Sequence, residues 1–179
     1  LRDDKNELGE LKRVVNSLIQ NIDAFSNDSI LIAATNHHEL LDPAIWRRFT
    51  TIVSLEKPQK GEIERLLTIL LTDKENNFMG NERKLNGVID ALFGFSHSDI
   101  KTVTFNAIRE VILSGRSSLT NCDILKSIFF YKNHAIENED DLIEYLLKNG
   151  VTHKEINDSL AIPLRRIQGI SKNLDRKEL

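Results

Sequence analysis

Three side chains that could act on a phosphoryl group lie near one another in the sequence. Asn36 follows the apolar run 31–34, and Arg47 and Arg48 come shortly afterwards. Phosphoryl transfer is accelerated by positioned water and by fixed positive charge, which the planar and always charged guanidinium supplies. An amide at the carboxyl end of a buried strand faces the crevice where open α/β sheets bind ligands. There it can donate to a phosphate and accept from water.

Each of these residues also has an ordinary structural explanation. An Asn after a strand is commonly a turn residue, and an Arg-Arg pair is commonly a solvated surface feature. The order of the surrounding motifs favours the functional interpretation. Within residues 31–49 the sequence reads Ala33-Ala-Thr-Asn36, then Leu40-Leu-Asp-Pro-Ala44, then Arg47-Arg-Phe49, and the strand-like run 51–55 follows.

This ordered set resembles the second half of the catalytic region of AAA-type ATPases, a clade of the AAA+ superfamily. The resemblance implies that Asn36 is the sensor that orients the attacking water near the γ-phosphate. It implies that Arg47 and Arg48 are arginine fingers, which reach the nucleotide bound by the neighbouring subunit. ATP and Mg²⁺ are then the expected cofactors, and a homo-oligomeric ring, most simply a hexamer, is the expected assembly.

Two motifs of such a site are missing from the sequence. The pattern Gly-x-x-x-x-Gly-Lys-Ser/Thr, whose backbone amides cradle phosphates, does not occur. Nor does an apolar strand that ends in Asp-Glu and could hold Mg²⁺. We therefore expect the chain to begin just after the Mg²⁺-binding strand of the family's module, with the residues that hold Mg²⁺ upstream. On that expectation this chain alone does not hydrolyse ATP.

Composition predicts a soluble, cytoplasmic protein. Hydrophobic residues make up 40% and charged residues 28% of the 179 residues, close to globular averages. No apolar run approaches the roughly 20 residues that span a bilayer, so no membrane partner is expected. The single Cys122 excludes an internal disulfide, and without Cys or His partners at ligand spacing we expect no metal site in the chain. The net charge of −3 gives no overall attraction to nucleic acid.

Hydrophobic periodicity indicates the elements that position these residues. Apolar residues three and four apart predict a long amphipathic helix over 8–25, and strands are predicted at 29–35 and 51–55. In the resembled family this helix lies near the subunit interface. Three of its polar residues are therefore candidate interface contacts, with ordinary solvated side chains as the alternative: Arg13, Asn16 and Asp23.

The sequence after Pro58 has a helical pattern throughout. Apolar stripes predict four helices, the number expected of the family's lid, at 61–71, 84–93, 96–113 and 120–130. The segment 94–100 resembles the Gly-Phe-Ser-Gly-Ala-Asp-Ile segment of that lid, and Ser96 with Asp99 has the pattern of a capping box. The resemblance implies that Gly94 and Ser98 pack against adenine and ribose, where small residues let the backbone come close. His97 departs from the family pattern.

Residues 138–179 are predicted to form a separate three-helix unit, with helices at 141–150, 152–160 and 163–174. The unit resembles the helix-turn-helix of small bacterial DNA-binding regulators. In that case the third helix would enter the major groove and its polar residues would face base edges or phosphates: Arg165, Arg166 and Gln168. Lys154, Lys172 and Arg176 would lie nearer the phosphates. Acidic neighbours dilute this basic face, so docking of an adaptor protein or simple packing is the alternative.

The predicted fold is mostly α. An α/β remnant of a P-loop ATPase core, two parallel strands and a long helix, occupies 1–58, an all-α four-helix lid occupies 59–132, and a tri-helical unit occupies 138–179. In the family the two strands are separated by a strand that this chain lacks, which predicts exposed apolar edges and poor solubility. The expected function is that of an ATP-binding and ATP-hydrolysing subunit of a ring motor acting on a macromolecular substrate. The alternative is a non-enzymatic DNA-binding or adaptor protein with a relic ATPase module.

Overall fold

The structure, a computed structural model, describes residues 3–26, 28–133 and 138–177. The chain divides into two compact units, 1–55 and 56–179. The first unit contains α1 (Asp3–Asp23), a 3-10 turn (His38–Leu40) and the short helix α2 (Pro43–Trp46). The helices described in the second unit are α3 (Lys60–Leu70), α4 (Glu82–Leu92), α5 (His97–Leu113), α6 (Asn121–Asn133), α7 (Glu139–Lys148), α8 (His153–Leu160) and α9 (Leu164–Lys177).

The long helix predicted in the first unit is confirmed as α1. Its apolar face is only partly covered: Val15, Ile19 and Ile22 are half-buried, whereas Val14 and Leu18 are exposed. Among the described side chains of residues 1–55, Ile45 alone is buried. Hydrophobic burial is the main source of folding free energy, so the described part of this unit has little core of its own.

The two predicted strands are not found in the structure. The runs 30–35 and 51–55 have neither helical nor strand structure. A strand requires ladder hydrogen bonds with a neighbour, and within the described residues the only bridge is an isolated one between Asn76 and Leu119. The α/β part of the predicted fold is therefore not confirmed, while its mostly helical character is. Several apolar side chains of these runs are exposed: Ile30, Leu31, Ile32, Ile52, Val53 and Leu55.

The four helices predicted for the lid are confirmed as α3 to α6. Reciprocal capping is seen at the starts of α5 and α6. Ser96 Oγ accepts from the Asp99 N–H, and Asp99 Oδ2 accepts from the Ser96 N–H; Thr120 and Asp123 repeat this arrangement at the start of α6. Such side chains satisfy the backbone donors that a helix leaves unpaired at its start. The longest helix of the lid, α5, packs along α6, and α4 lies against α6 as well.

The three helices predicted near the C-terminus are confirmed as α7, α8 and α9. As predicted, α7 is followed by Gly150, whose φ of 81° is one that glycine adopts without strain. Thr152 and Glu155 form the predicted capping box of α8. Of these helices, α7 and α8 pack on α6, and α9 packs on α7 and α8; most of their buried residues belong to the same hydrophobic cluster as those of α3 to α6. They are therefore continuous with the lid, and the predicted boundary between 59–132 and 138–179 stays a prediction.

A tight seam joins α4 to the C-terminal helices. The Lys84 ammonium lies 2.5 Å from the Glu155 carboxylate, and both side chains are largely buried. One turn further along α4, a Cβ added to Gly87 would lie 2.6 Å from the backbone oxygen of Asn149, at the end of α7. On α6 the Cys122 side chain is buried, and α6 packs against α8. A glycine is thus required at position 87 by the close approach of another backbone.

Candidate functional site

Asn36 lies in an exposed turn of the first unit. The hydroxyl of Thr35 accepts a hydrogen bond from the His37 N–H at 3.0 Å, which fixes the backbone around Asn36. Within the described part of the chain no group hydrogen bonds with the Asn36 amide. The turn explanation therefore accounts for the backbone here, and it leaves the amide side chain available to a ligand.

The two arginines follow a short helix whose start is fixed by the sequence Asp42-Pro43. Asp42 Oδ1 accepts from the Ala44 N–H at 2.8 Å, and Pro43 occupies the first helical position, where no N–H is needed. The helix places Arg47 and Arg48 at its C-terminal end.

The two guanidinium groups differ in their partners. Arg48 Nε and Nη2 each donate to the Asp23 carboxylate at 2.9 Å, and Nη1 donates to the Ala44 carbonyl at 2.8 Å. The hydrogen bonds from Arg48 lower the pKa of Asp23 below its ordinary value. Arg47 is exposed and has no carboxylate partner among the residues that the structure describes. Arg47 therefore has an uncompensated charge, whereas Arg48 joins the end of α1 to α2.

The three candidate interface residues of α1 differ in the contacts that they make within the chain. Asp23 forms the ion pair with Arg48 within its own chain. Arg13 and Asn16 are exposed and make no hydrogen bond to another described side chain. A fork of two parallel hydrogen bonds is specific in geometry, so Asp23 contributes to the arrangement of the first unit itself. The interface role of all three residues stays a prediction.

The predicted nucleotide contacts of the lid lie on either side of a turn between α4 and α5. Gly94 has a φ of 88°, which explains why glycine stands there. A Cβ at this position would meet no atom within 4 Å, so the space beside the turn is open. Ser98 and His97 are exposed in the first turn of α5. The structure thus places Gly94 and Ser98, two small residues, in exposed positions near the start of α5.

On α9, the three predicted DNA contacts are all exposed. Arg166 is held by two carboxylates of α7: Nη1 donates to Glu139 Oε2 at 2.5 Å, and Nη2 donates to Asp140 Oδ1 at 2.6 Å. This pairing neutralises one of the three predicted contacts and brings acidic groups to the start of α9. Arg165 and Gln168 make no side-chain hydrogen bond with any described residue.

Sequence reasoning missed two polar clusters in the second unit. Asp123 is 7% exposed and accepts from both terminal nitrogens of Arg116, at 3.1 and 2.7 Å. The spacing Thr120-x-x-Asp123 is a capping-box pattern and could have identified half of this cluster. The second cluster joins Asp99 to Tyr131, 32 residues later, and no local pattern predicts such a contact.

Two kinds of feature are absent from the described residues. No group of three His, Cys, Asp or Glu side chains in that part of the chain could hold a metal ion. No helix among the described residues has both the length and the apolar character needed to cross a bilayer.

Comparison with known proteins identifies the class. Residues 1–57 match the family described as ATPase family associated with various cellular activities (AAA). The chain is 35% identical over 127 residues to an uncharacterized AAA family ATPase of Sinorhizobium fredii, which covers 71% of this chain and 37% of that protein. The chain therefore belongs to the AAA ATPase family and corresponds to the C-terminal region of the ATPase module.

Two further relatives have more specific names. The chain is 33% identical over 124 residues to the proteasome-activating nucleotidase of Saccharolobus solfataricus, with 66% of this chain and 30% of that protein covered. It is 31% identical over 129 residues to the chloroplastic ATP-dependent zinc metalloprotease FTSH 7 of Arabidopsis thaliana, with 68% and 16% covered. The chain thus spans little more than a third, or less, of the length of these three relatives.

Proposed function

We propose that this chain is part of an ATP-hydrolysing, ring-forming motor subunit that acts on a macromolecular substrate, with ATP and Mg²⁺ as cofactors. The observation that carries the proposal is that two adjacent arginines differ in their partners. Arg47 is exposed with an unpaired charge, and Arg48 anchors the short helix from which both extend. Family membership supports the same conclusion.

In this proposal the reaction needs groups from two subunits. Asn36 orients the attacking water beside the nucleotide bound by its own subunit, and Arg47 places positive charge against the phosphoryl group held by the neighbour. An arginine supplied from outside a site is worth about 10³–10⁵ in rate. Arg48 could reach a nucleotide only by leaving Asp23, so its contribution includes holding Arg47 in place. Gly94 and Ser98 receive the adenine and ribose.

Subunit mixing tests this division of roles in the protein that contains the complete ATPase module. Asn36→Ala and Arg47→Ala are each expected to abolish ATP turnover while nucleotide binding is retained. In a mixed ring, an Arg47→Ala subunit keeps its own Asn36 and receives Arg47 from an Asn36→Ala neighbour. Mixing the two inactive variants should therefore restore part of the turnover.

The matched control is Arg65→Ala, because Arg65 is an exposed arginine of α3 that makes no ion pair with any described residue. It should leave turnover unchanged. Failure of the mixture to recover activity would show that Arg47 acts within its own subunit. Absence of turnover in the unmodified protein would favour the non-enzymatic alternative, an adaptor or DNA-binding protein with a relic ATPase module.

For residues 138–177 we propose docking of a protein rather than DNA. The supporting observation is the neutralisation of Arg166 by Glu139 and Asp140, which places carboxylates where a recognition helix would meet phosphates. Binding to duplex DNA should therefore be weak, and Arg165→Ala should change it little. Tight binding with a steep salt dependence, the signature of phosphate contacts, would support the DNA-binding alternative.

A further inference from the structure

The turn that carries Gly94 and Ser98 is held by the last turns of α6. The Tyr131 hydroxyl donates to Asp99 Oδ1 at 2.5 Å. The other carboxylate oxygen of Asp99 accepts from the N–H and the hydroxyl of Ser96, at 3.1 and 2.8 Å. One carboxylate therefore connects the capped start of α5 to a residue 32 positions away in the sequence.

A second set of contacts reaches both sides of the glycine. The rings of Phe95 and Tyr131 lie 5.5 Å apart between centroids. The Lys132 ammonium lies 5.1 Å from the centroid of Phe95 and donates at 3.3 Å to the carbonyl of Ala91, in the last turn of α4. Residues of α6 thus contact the chain before Gly94 and after it.

These contacts matter because the turn contains a glycine at positive φ, the residue type with the widest backbone freedom. Hydrogen bonds to an ionised acceptor are stronger than neutral ones. The hydrogen bond from Tyr131, together with those from Ser96, holds the pKa of Asp99 below its ordinary value, so the acceptor stays ionised near neutral pH. Without Tyr131 and Lys132, the turn would keep only local restraints: the capping box and the hydrogen bond from the Phe95 N–H to the Leu92 carbonyl.

We propose that Tyr131 and Lys132 are positioning residues for nucleotide binding, because they fix the turn that presents Gly94 and Ser98. The inference rests on the proposed function and adds a specific determinant of nucleotide affinity to it. A preorganised turn does not have to be ordered when the nucleotide binds, so the two residues act on affinity and not on the chemical step.

The informative variant is Tyr131→Phe, which keeps the ring contact with Phe95 and removes only the hydroxyl. In the protein with the complete ATPase module it should raise KM for ATP about three- to tenfold, the range expected for the net effect of one solvent-exposed hydrogen bond, and leave kcat within about twofold. The control is Tyr145→Phe, because the Tyr145 hydroxyl is buried and has no hydrogen-bond partner among the described residues. It should leave KM unchanged.

Lys132 provides a rescue experiment. Lys132→Met should raise KM in the same direction, because it removes both the donor to Ala91 and the charge over Phe95. Lys132→Arg keeps a donor and a cation and should restore KM to near the unmodified value. Equal effects of Met and Arg would mean that the side chain acts only by packing, which contradicts the proposal.

Hydrogen exchange of the amides of residues 94–99 gives a readout that does not depend on turnover. Tyr131→Phe should accelerate exchange there and leave the amides of α3 unchanged. Unchanged exchange would overturn the positioning role, and faster exchange with an unchanged KM would overturn its link to nucleotide. If the unmodified protein neither binds nor hydrolyses ATP, the proposed function fails instead, and the inference fails with it.

Discussion

Replacing Gly87 by alanine should loosen the seam between the lid and the C-terminal helices. An added Cβ would lie 2.6 Å from the backbone oxygen of Asn149 and 3.6 Å from its carbonyl carbon. That oxygen cannot turn aside as a flexible side chain would. Asn149 is tied to Tyr145 by hydrogen bonds from its backbone N–H and from its side-chain amide, at 3.1 and 2.8 Å. The helices themselves must therefore move apart.

The magnitude follows from two opposing effects. Overpacking of a well-packed interface typically costs about 1–3 kcal/mol. Alanine in place of glycine inside a helix contributes up to about 1 kcal/mol in the other direction. The free energy of unfolding of the second unit should therefore fall by about 1–2 kcal/mol.

Urea denaturation followed by circular dichroism measures this change, and Gly169→Ala is the matched control. Gly169 lies inside α9, and a Cβ there would meet no atom within 4 Å. The control should therefore raise the denaturation midpoint, while Gly87→Ala lowers it with a similar slope. Equal stabilisation by both substitutions would refute the close approach of α4 and α7.

Three further predictions concern the second unit. Burial opposes ionisation of Glu155, but the hydrogen bonds from Lys84 and Thr152 outweigh it and lower the pKa of Glu155 below the ordinary 4.5. The stabilisation that ionised Glu155 provides should therefore be complete above pH 4.5 and be lost as the pH falls through the lower pKa of the folded state. The free energy of unfolding, measured against pH in acid, should depend less on pH in Glu155→Gln. Asp123→Ala should lower the free energy of unfolding by about 2–3 kcal/mol, measured in urea, because it removes a cap and leaves the Arg116 guanidinium without its carboxylate. Burial raises the pKa of the Cys122 thiol to about 11. Alkylation of Cys122 at mildly alkaline pH should therefore be slow in the folded protein and fast in urea. Rapid labelling of the folded protein would contradict the tight contact of α6 and α8.

Local patterns were sufficient to predict the helices of the second unit. The spacing of apolar residues indicated α3 to α9, and Ser/Thr followed three residues later by Asp or Glu located the starts of α5 and α8. These signals depend on neighbours in sequence, so the rest of the fold does not affect them. The same patterns could not indicate that α7 to α9 share a core with the lid, because that depends on contacts between distant residues.

The two predicted strands are not found because strand formation also depends on contacts between distant residues. The runs 29–35 and 51–55 have apolar sequences typical of buried strands, but a strand exists only with a partner, and the described residues supply none. In the candidate site, residue types alone could not separate Arg47 from Arg48. The difference lies in Asp23, which is 25 residues from Arg48 in the sequence and is brought to it by the fold.

The seam at Gly87 has a mechanical consequence. The helix that contains Gly87 leads directly into the turn with Gly94, and the same seam also holds it to the C-terminal helices through Lys84 and Glu155. The end of α4 that meets the turn and the outer face of α9 are therefore parts of one lever. If a ligand at the turn and a partner on α9 each favoured the same orientation of this lever, each would raise the affinity of the other by the same factor.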